Sequence, residues 1–406
     1  MDRVDLMRLL DKYIGIPICL ILSTLELVRK PFVSNKGRPI KKILIIQISE
    51  MGSTIHAYSS MKLLKSKHPE AKIFYLIFKE MQESIKLLRI IPDENILTIR
   101  SSSTAGFIFD TIKTIVKIRM LRIDTTIDLE LFARFSNILS YLSEAQKRIG
   151  FDAFKMEGLY RGSLLTHRVI YNHTTAISAN FLALAKATLH DQSESPLLKS
   201  SVSGWKAEVP KIVSTPREKE LIRKRLEKIN PSIKNKKHLV LINPNASQLL
   251  PLRRWPVENY IELARRLLKN EGTYVVVTGV KAEKAEAQAI CKAVDSPRCI
   301  DFTGETTLRT LIDLYNVSDL LVSNDSGPPN FASLTTMSTI VLFGPETPLC
   351  YKPLGENIKV IYSNFACSPC VSAYNHRKSA CKDNKCLQAI SVEKVYNAAM
   401  NELKAA

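Results

Sequence analysis

No GxGxxG loop occurs in the 406 residues, and neither does zinc-finger spacing, an RNP-type aromatic motif or a basic-region heptad; aromatics make up only 7%. Without the glycine loop, a dinucleotide dehydrogenase has little support, because its pyrophosphate site needs those close backbone approaches. Without the other three, nucleic acid has no specific signature here. Long apolar runs are scarce as well. The N-terminal uncharged stretch from Tyr13 to Leu25 is well short of the roughly 20 residues that a spanning helix requires. An acid-containing start and the lack of a small-x-small cleavage site argue against a secretory signal.

Positive charge is abundant. Lys and Arg total 58 against 39 Asp and Glu, a formal net charge of +19. Such an excess implies anionic company: phosphorylated substrates or anionic lipid. Arg3, Arg8, Lys12, Arg29 and Lys30 flank the short apolar stretch, which suits a segment lying in a membrane interface. A helix docked on the protein's own surface is the alternative. The expected location is cytoplasmic, peripheral to the inner face of the membrane.

Cysteine is unevenly placed. Four of the eight form Cys367-x2-Cys370-x10-Cys381-x4-Cys386. Four thiols so close together clip a loop, either around zinc or as two disulfides with three possible pairings. A reducing cytoplasm favours thiols or metal over disulfides.

The rest of the chain alternates strand and helix. Lys42 to Ile48, Lys72 to Phe78, Ile96 to Ile99 and Thr126 to Leu129 read as buried strands. Helical patterns fall between them, at Thr54 to Lys67, Met81 to Leu88 and Phe107 to Leu121. Asp152 to Ser203 shows no clear period. Thr215-Pro216-Arg217-Glu218 opens a helix with a cap, a first-turn proline and an acid three residues on. Strands at Leu239 to Ile242, Tyr274 to Thr278, Leu320 to Val322 and Ser338 to Phe343 follow, again separated by helices. This alternation predicts doubly wound parallel sheets. The division read from it is 1–35 as membrane-interface or docking segment, 40–205 and 215–390 as two domains, and 391–406 as a C-terminal helix. In Val317 to Pro348, Ser326 and Gly327 put backbone N–H groups at a helix start, where the dipole favours an anion.

Taken in order, Ile43-to-Ser60, Asn243-to-Pro256, Val276-to-Glu283, Phe302-to-Leu308 and Asn324-to-Pro348 resemble glycosyltransferase family 9, the lipopolysaccharide heptosyltransferases. The specific parts are Arg-Trp-Pro at 254–256, Thr-Gly-x-x-x-Glu at 278–283, and Asp-Ser-Gly at 325–327 followed by Phe-Gly-Pro. The resemblance implies the α/β GT-B fold: two Rossmann-like domains facing across a cleft, here with an added N-terminal hydrophobic helical segment. It implies inverting transfer of a heptose-like sugar from an ADP-sugar to a lipid-linked saccharide, with no cofactor and no metal. On the donor side it assigns Arg253, Glu283, Asp325, Ser326 and Gly327. Asp128, Glu130 and Arg134, in or just after the fourth strand of the first domain, are expected on the acceptor side.

One departure concerns the base that inversion needs. The family commonly has Gly-Asp after the first strand, and this chain has Gly52-Ser53. Glu50 is the nearest carboxylate, so Glu50 with Ser53 is the expected catalytic pair; His56 is a second candidate. Asn330 stands where many relatives have histidine. These changes leave a second reading open: a catalytically inactive GT-B module that binds a nucleotide sugar or glycolipid.

Overall fold

Runs such as Lys42–Ile46 and Thr273–Val277 are buried at nearly every position, as strands covered on both faces must be. The computed structural model describes residues 3–29, 39–156, 158–192, 194–246 and 250–405. They divide into two units, Met1–Ala207 and Glu208–Ala406.

The first unit contains α1 (Arg3–Tyr13), α2 (Gly15–Arg29), β1 (Lys42–Ile46), α3 (Met51–His56), α4 (Tyr58–Lys67), β2 (Lys72–Phe78), α5 (Glu83–Leu88), β3 (Ile96–Ile99), α6 (Thr104–Leu121), β4 (Thr125–Asp128), α7 (Arg134–Leu142), β5 (Lys147–Asp152), β6 (His167–Ile170) and α8 (Ile177–Lys186). Its strands pair in parallel in the order β3-β2-β1-β4-β5-β6. The second unit contains α9 (Pro216–Ile229), β7 (His238–Asn243), α10 (Val257–Leu268), β8 (Thr273–Val277), α11 (Lys284–Val294), β9 (Cys299–Asp301), α12 (Leu308–Tyr315), β10 (Leu320–Asn324), α13 (Gly327–Ala332), β11 (Ser338–Phe343), α14 (Pro348–Tyr351), β12 (Ile358–Tyr362), α15 (Lys385–Gln388) and α16 (Val392–Ala405). Its order, β12-β11-β10-β7-β8-β9, is also parallel throughout. Each sheet is wound outward from its first strand and then reverses, so each has a switch point: between β1 and β4, and between β7 and β10.

Several boundaries differ from the sequence expectation. The helix expected over Thr54 to Lys67 begins at Met51 and bends at Ala57, so Gly52 and Ser53 sit in its first turn rather than in a loop. The turn from Pro328 starts α13 at Gly327, where prolines need no N–H partner. The aperiodic stretch after Asp152 holds β6 and α8; α8 buries Ile177, Phe181, Leu182 and Leu184, a nearly all-round apolar surface that hides a 3.6-residue period. Thr215 caps α9 in a reciprocal capping box with Glu218. The segment expected over 1–35 forms α1 and α2 as far as Arg29; residues 30–38 lie outside the described residues. Among the described residues no helix is long and apolar enough to cross a membrane.

Candidate active site

Strand ends place the chemistry. In the second unit, three neighbouring strands, β10, β7 and β8, deliver their following loops to the same edge of the sheet. The loop after β10 carries Asp325, Ser326 and Gly327; that after β7 carries Arg253; that after β8 carries Gly279 to Glu283. Arg253 and Asp325 meet across the switch point, Nη1 to Oδ2 at 3.5 Å, with both side chains mostly buried. Ser326 is the N-cap of α13, and its side chain bonds backward to Asn324 O rather than to the helix. Its own cap amides are therefore not closed by that hydroxyl. Asn330 Nδ2 donates to Ser326 O at 3.1 Å, one turn into the same helix.

Glu283 sits at the rim of this edge. Its carboxylate accepts from Val280 N at 2.8 Å, closing its own turn. Burial raises its pKa, opposed by that N–H and by the Arg254 charge. Gly279 makes the geometry possible: a Cβ there would lie 2.6 Å from the Glu283 carboxylate and 3.4 Å from the amide nitrogen of buried Asn245. Arg254 bonds Ala246 O and faces Glu286 at 3.6 Å. The structure thus brings Arg253 against Asp325 directly, and puts Glu283 on the adjoining loop beside Arg254 and Asn245.

Two asparagines that sequence reasoning passed over hold this arrangement. Fully buried Asn324 accepts from Trp255 N at 2.9 Å and Tyr260 Oη at 3.1 Å, and donates to Pro244 O at 2.7 Å. It ties the Asp-Ser-Gly turn to the Arg-Trp-Pro element. Trp255, itself buried, anchors through Nε1 to Ile390 O and stacks edge-on with Tyr260. Asn384, from the cysteine-bearing segment, donates to Leu252 O at 3.0 Å and Arg254 O at 2.7 Å. It therefore grips the backbone on either side of Arg253. An Asn one residue before the Asp-Ser-Gly turn was a signal available in the sequence; the Asn384 contact spans some 130 residues and was not.

The four clustered cysteines line a single hollow of about 380 Å³ that also includes Leu252 and Asn384. All four are free thiols in this structure. Among the described residues no three His, Cys, Asp or Glu side chains are arranged to hold a metal ion. Burial pushes the Cys386 thiol up, and the nearby Cys370, Cys367 and Cys381 add to that.

The first unit has its own cluster at its switch point. Glu50 is the N-cap of α3 with extended backbone and no cap bond from its side chain. Ser53 Oγ donates to Glu50 Oε2 at 2.7 Å, which joins the two expected catalytic residues. Across from them, after β4, Glu130 accepts from Ile48 N at 2.5 Å, Ser49 N at 2.9 Å and Ser49 Oγ at 2.9 Å. Burial, with the Glu50 and Asp128 charges added, pushes the Glu130 carboxyl up to about 7 against those donors.

Two of the residues expected on the acceptor side lie inside the unit. Asp128 is 0% exposed; it pairs with Arg161 and accepts from Ser136 Oγ at 2.9 Å and Glu130 N at 3.0 Å. Burial raises its pKa against the pull of Arg161. Arg134 is also buried and faces the Asp11 carboxylate of α1 at 3.3 Å. Asp128 closes β4 and Arg134 opens α7, and each side chain is buried against an ion-pair partner of its own unit. His56 is buried likewise.

The sequence profile described as glycosyltransferase family 9 (heptosyltransferase) matches residues 116–380. A lipooligosaccharide heptosyltransferase 2 of Campylobacter jejuni serotype O:2 is 28% identical over 179 residues, 43% of this chain and 54% of that protein. A lipopolysaccharide heptosyltransferase 2 of Salmonella typhimurium is 32% identical over 133 residues, 32% of this chain and 38% of that protein. The chain thus spans about half, or less, of the length of these curated relatives. The structure of an E. coli ADP-heptose lipopolysaccharide heptosyltransferase II aligns with a TM-score of 0.68 at 20% identity, over 90% of this chain and 99% of that one, and shares its fold. With the motif loops gathered at adjacent strand ends and more than half its length matched by the profile, the chain belongs to glycosyltransferase family 9, the heptosyltransferases.

Proposed function

We propose that the protein is an inverting glycosyltransferase that moves a heptose-like sugar from an ADP-sugar onto a lipid-linked saccharide during lipopolysaccharide or cell-envelope glycan synthesis. The observation that carries this reading is Arg253 held against Asp325 at the reversal of the later sheet. In open α/β sheets that crevice is where ligands bind. Names of the relatives support the sugar and the pathway, and the E. coli enzyme's title supports ADP as the nucleotide.

In this reading residues 215–390 take the nucleotide sugar and residues 40–205 the acceptor. Residues 1–35 rest on the cytoplasmic face of the membrane, and α16 (Val392–Ala405) packs as a C-terminal helix. Arg253 offers a planar fork to the diphosphate, and the amides at Ser326 and Gly327 add dipoles. Asp325 aims the guanidinium. Glu283, beside Gly279, is placed to accept from the donor ribose.

Glu50 takes the proton of the acceptor hydroxyl while that oxygen bonds the anomeric carbon. The bond from that carbon to the diphosphate breaks on the opposite face, and ADP leaves with the electron pair. Arg253 and the amides stabilise the charge that develops there, so the reaction is metal-independent. The Ser53 hydroxyl, donating to Glu50, favours the ionised carboxylate that a base must be at neutral pH. Asp128 and Arg134 position this unit's loops from within.

Thermal-shift measurements with ADP, UDP and GDP test the donor: ADP should stabilise most, and equal shifts from all three would reject an ADP-sugar. Glu50→Gln should bind ADP as the parent does yet transfer no sugar. Retained transfer in that variant would remove Glu50 as base.

A further inference from the structure

The N-terminal helices attach to their unit by a stripe of small and polar residues, with Met7 and Leu22 packed beside it. Asp11, Gly15, Cys19 and Ser23 recur every four residues, with Glu26 one turn on, and all face inward. Asp11 accepts from the amides of Arg134 and Phe135 at 3.0 and 2.8 Å, capping α7. Gly15 lies so near that a Cβ would come within 2.9 Å of the Arg134 Cβ. Cys19 packs with Tyr141 and Leu164. Ser23 Oγ accepts from Ser163 N at 2.9 Å, and Glu26 Oε1 from Arg148 Nη2 at 2.5 Å. Ile14 N–H bonds Leu10 O, so the stripe runs on from α1 into α2.

The apolar side is left outside. Tyr13, Ile21, Leu25 and Val28 are each more than half exposed. This inverts the amphipathicity of an ordinary surface helix, whose apolar stripe is the one that docks. The segment docks on its own unit through this stripe, with Met7, Cys19 and Leu22 packed beside it, and leaves its other hydrophobic residues outside.

Helix α6 does the same. Ile108, Ile112, Val116 and Met120, four apart, are all exposed, Met120 to 72%. Both helices lie on one side of the first sheet. Phe107 of α6 stacks against Phe135 of α7 at 5.0 Å, and Met7 of α1 packs into the same core cluster; α2 covers α7 through Cys19, Leu22 and Tyr141.

Charge divides in the same direction. Three acids of these helices are engaged with the body of the unit: Asp11 at α7, Glu26 with Arg148, and Asp110 with Arg100 through Nε at 2.6 Å and Nη2 at 2.8 Å. The cations Lys12, Arg29, Lys113 and Lys117 are exposed. An apolar face bordered by outward cations, with Asp11, Glu26 and Asp110 turned to the body of the unit, complements an anionic bilayer.

We propose that this face, with α2 and α6 as its two limbs, docks on an anionic lipid surface. The inference rests on the peripheral association proposed above and assigns it to specific residues, including a helix outside residues 1–35.

Co-sedimentation of the full chain with phosphatidylglycerol–phosphatidylcholine vesicles tests it, with pure phosphatidylcholine as the neutral control. The protein should favour the anionic vesicles, and added salt should weaken binding. Ile112→Glu with Met120→Glu, and separately Ile21→Glu with Leu25→Glu, should each lower partitioning by roughly tenfold or more. These positions are exposed, and circular dichroism with a melting curve checks that each variant folds. If the α6 pair binds as the parent does while the α2 pair is lost, the two-limbed face is overturned and peripheral association stands. If the folded parent binds no vesicle, both fall. A dimer, seen by sedimentation and broken by the same substitutions in a protein that ignores vesicles, would give the face to a second copy and overturn the proposal. Vesicle binding in a protein that fails to bind ADP would leave this face intact and remove the enzymatic reading instead.

Discussion

Replacing Glu130 by glutamine isolates the energetic cost of one carboxylate at the first switch point. In the folded protein its pKa is raised from 4.5 to about 7, first by burial and then by the Glu50 and Asp128 charges. The unfolded chain releases this proton near its ordinary value of about 4.3. Between the two values the unfolded state binds fewer protons than the folded one, so stability falls as pH rises. At about 1.4 kcal/mol per pH unit, the full window amounts to roughly 3 kcal/mol. Glutamine has the same shape. Its carbonyl can keep accepting from the Ile48 and Ser49 amides, and its NH2 can donate to Ser49 Oγ, which the carboxylate now accepts from. Glu130→Gln should therefore match or slightly trail the parent at about pH 5 and exceed it by roughly 1–3 kcal/mol at about pH 8. For a unit of this size that is a rise in melting temperature of roughly 2–10 °C. Urea unfolding or calorimetry across that pH range reads it. A constant offset at every pH, or a variant less stable than the parent at the alkaline end, would refute the reasoning.

Three further outcomes are expected. Arg253→Ala should weaken ADP binding by roughly 10- to 100-fold by calorimetry, the worth of a charge-assisted contact of about 1.5–3 kcal/mol, with Arg253→Lys between; unchanged affinity would take Arg253 out of the donor site. Asn384→Ala frees the two carbonyls flanking Arg253 and should cost about 1–2 kcal/mol of ADP affinity through that loop; a variant that binds as the parent does would show that Arg253 needs no such hold. Buried Cys386, its thiol pushed upward, should alkylate more slowly than exposed Cys367 and Cys381 at about pH 8; equal rates by mass spectrometry would contradict the burial described.

Most strands were legible because a parallel strand covered on both faces is nearly continuous apolar sequence. Lys72–Phe78 and Ser338–Phe343 match their expected limits. The helix α8 was not, since burial nearly all round erases the period that marks a helix. In the loops after β7 and β10, short motifs singled out Arg253 and Asp325, and the structure puts these two in contact. What the sequence did not reveal was which polar residues point inward. Asp128 and Arg134 have the composition of ligand-binding residues, but a buried partner for each, Arg161 and Asp11, lies far along the chain. Glu130, read alongside them, is held instead by amides some 80 residues earlier, which the sequence did not reveal.

The two sheets share one strand order, and in both an acid from the loop after the fourth strand reaches over to the loop after the first. Glu130 finds peptide hydrogens there, and Asp325 finds a guanidinium. One winding pattern, used twice, has thereby been given opposite electrical tasks. In the proposed reaction the negative charge of the earlier copy is the habitat of a proton acceptor, and the positive charge of the later copy is a berth for a leaving anion. Exchanging the sign at either crossing would turn a copy toward its sibling's task without altering a single strand.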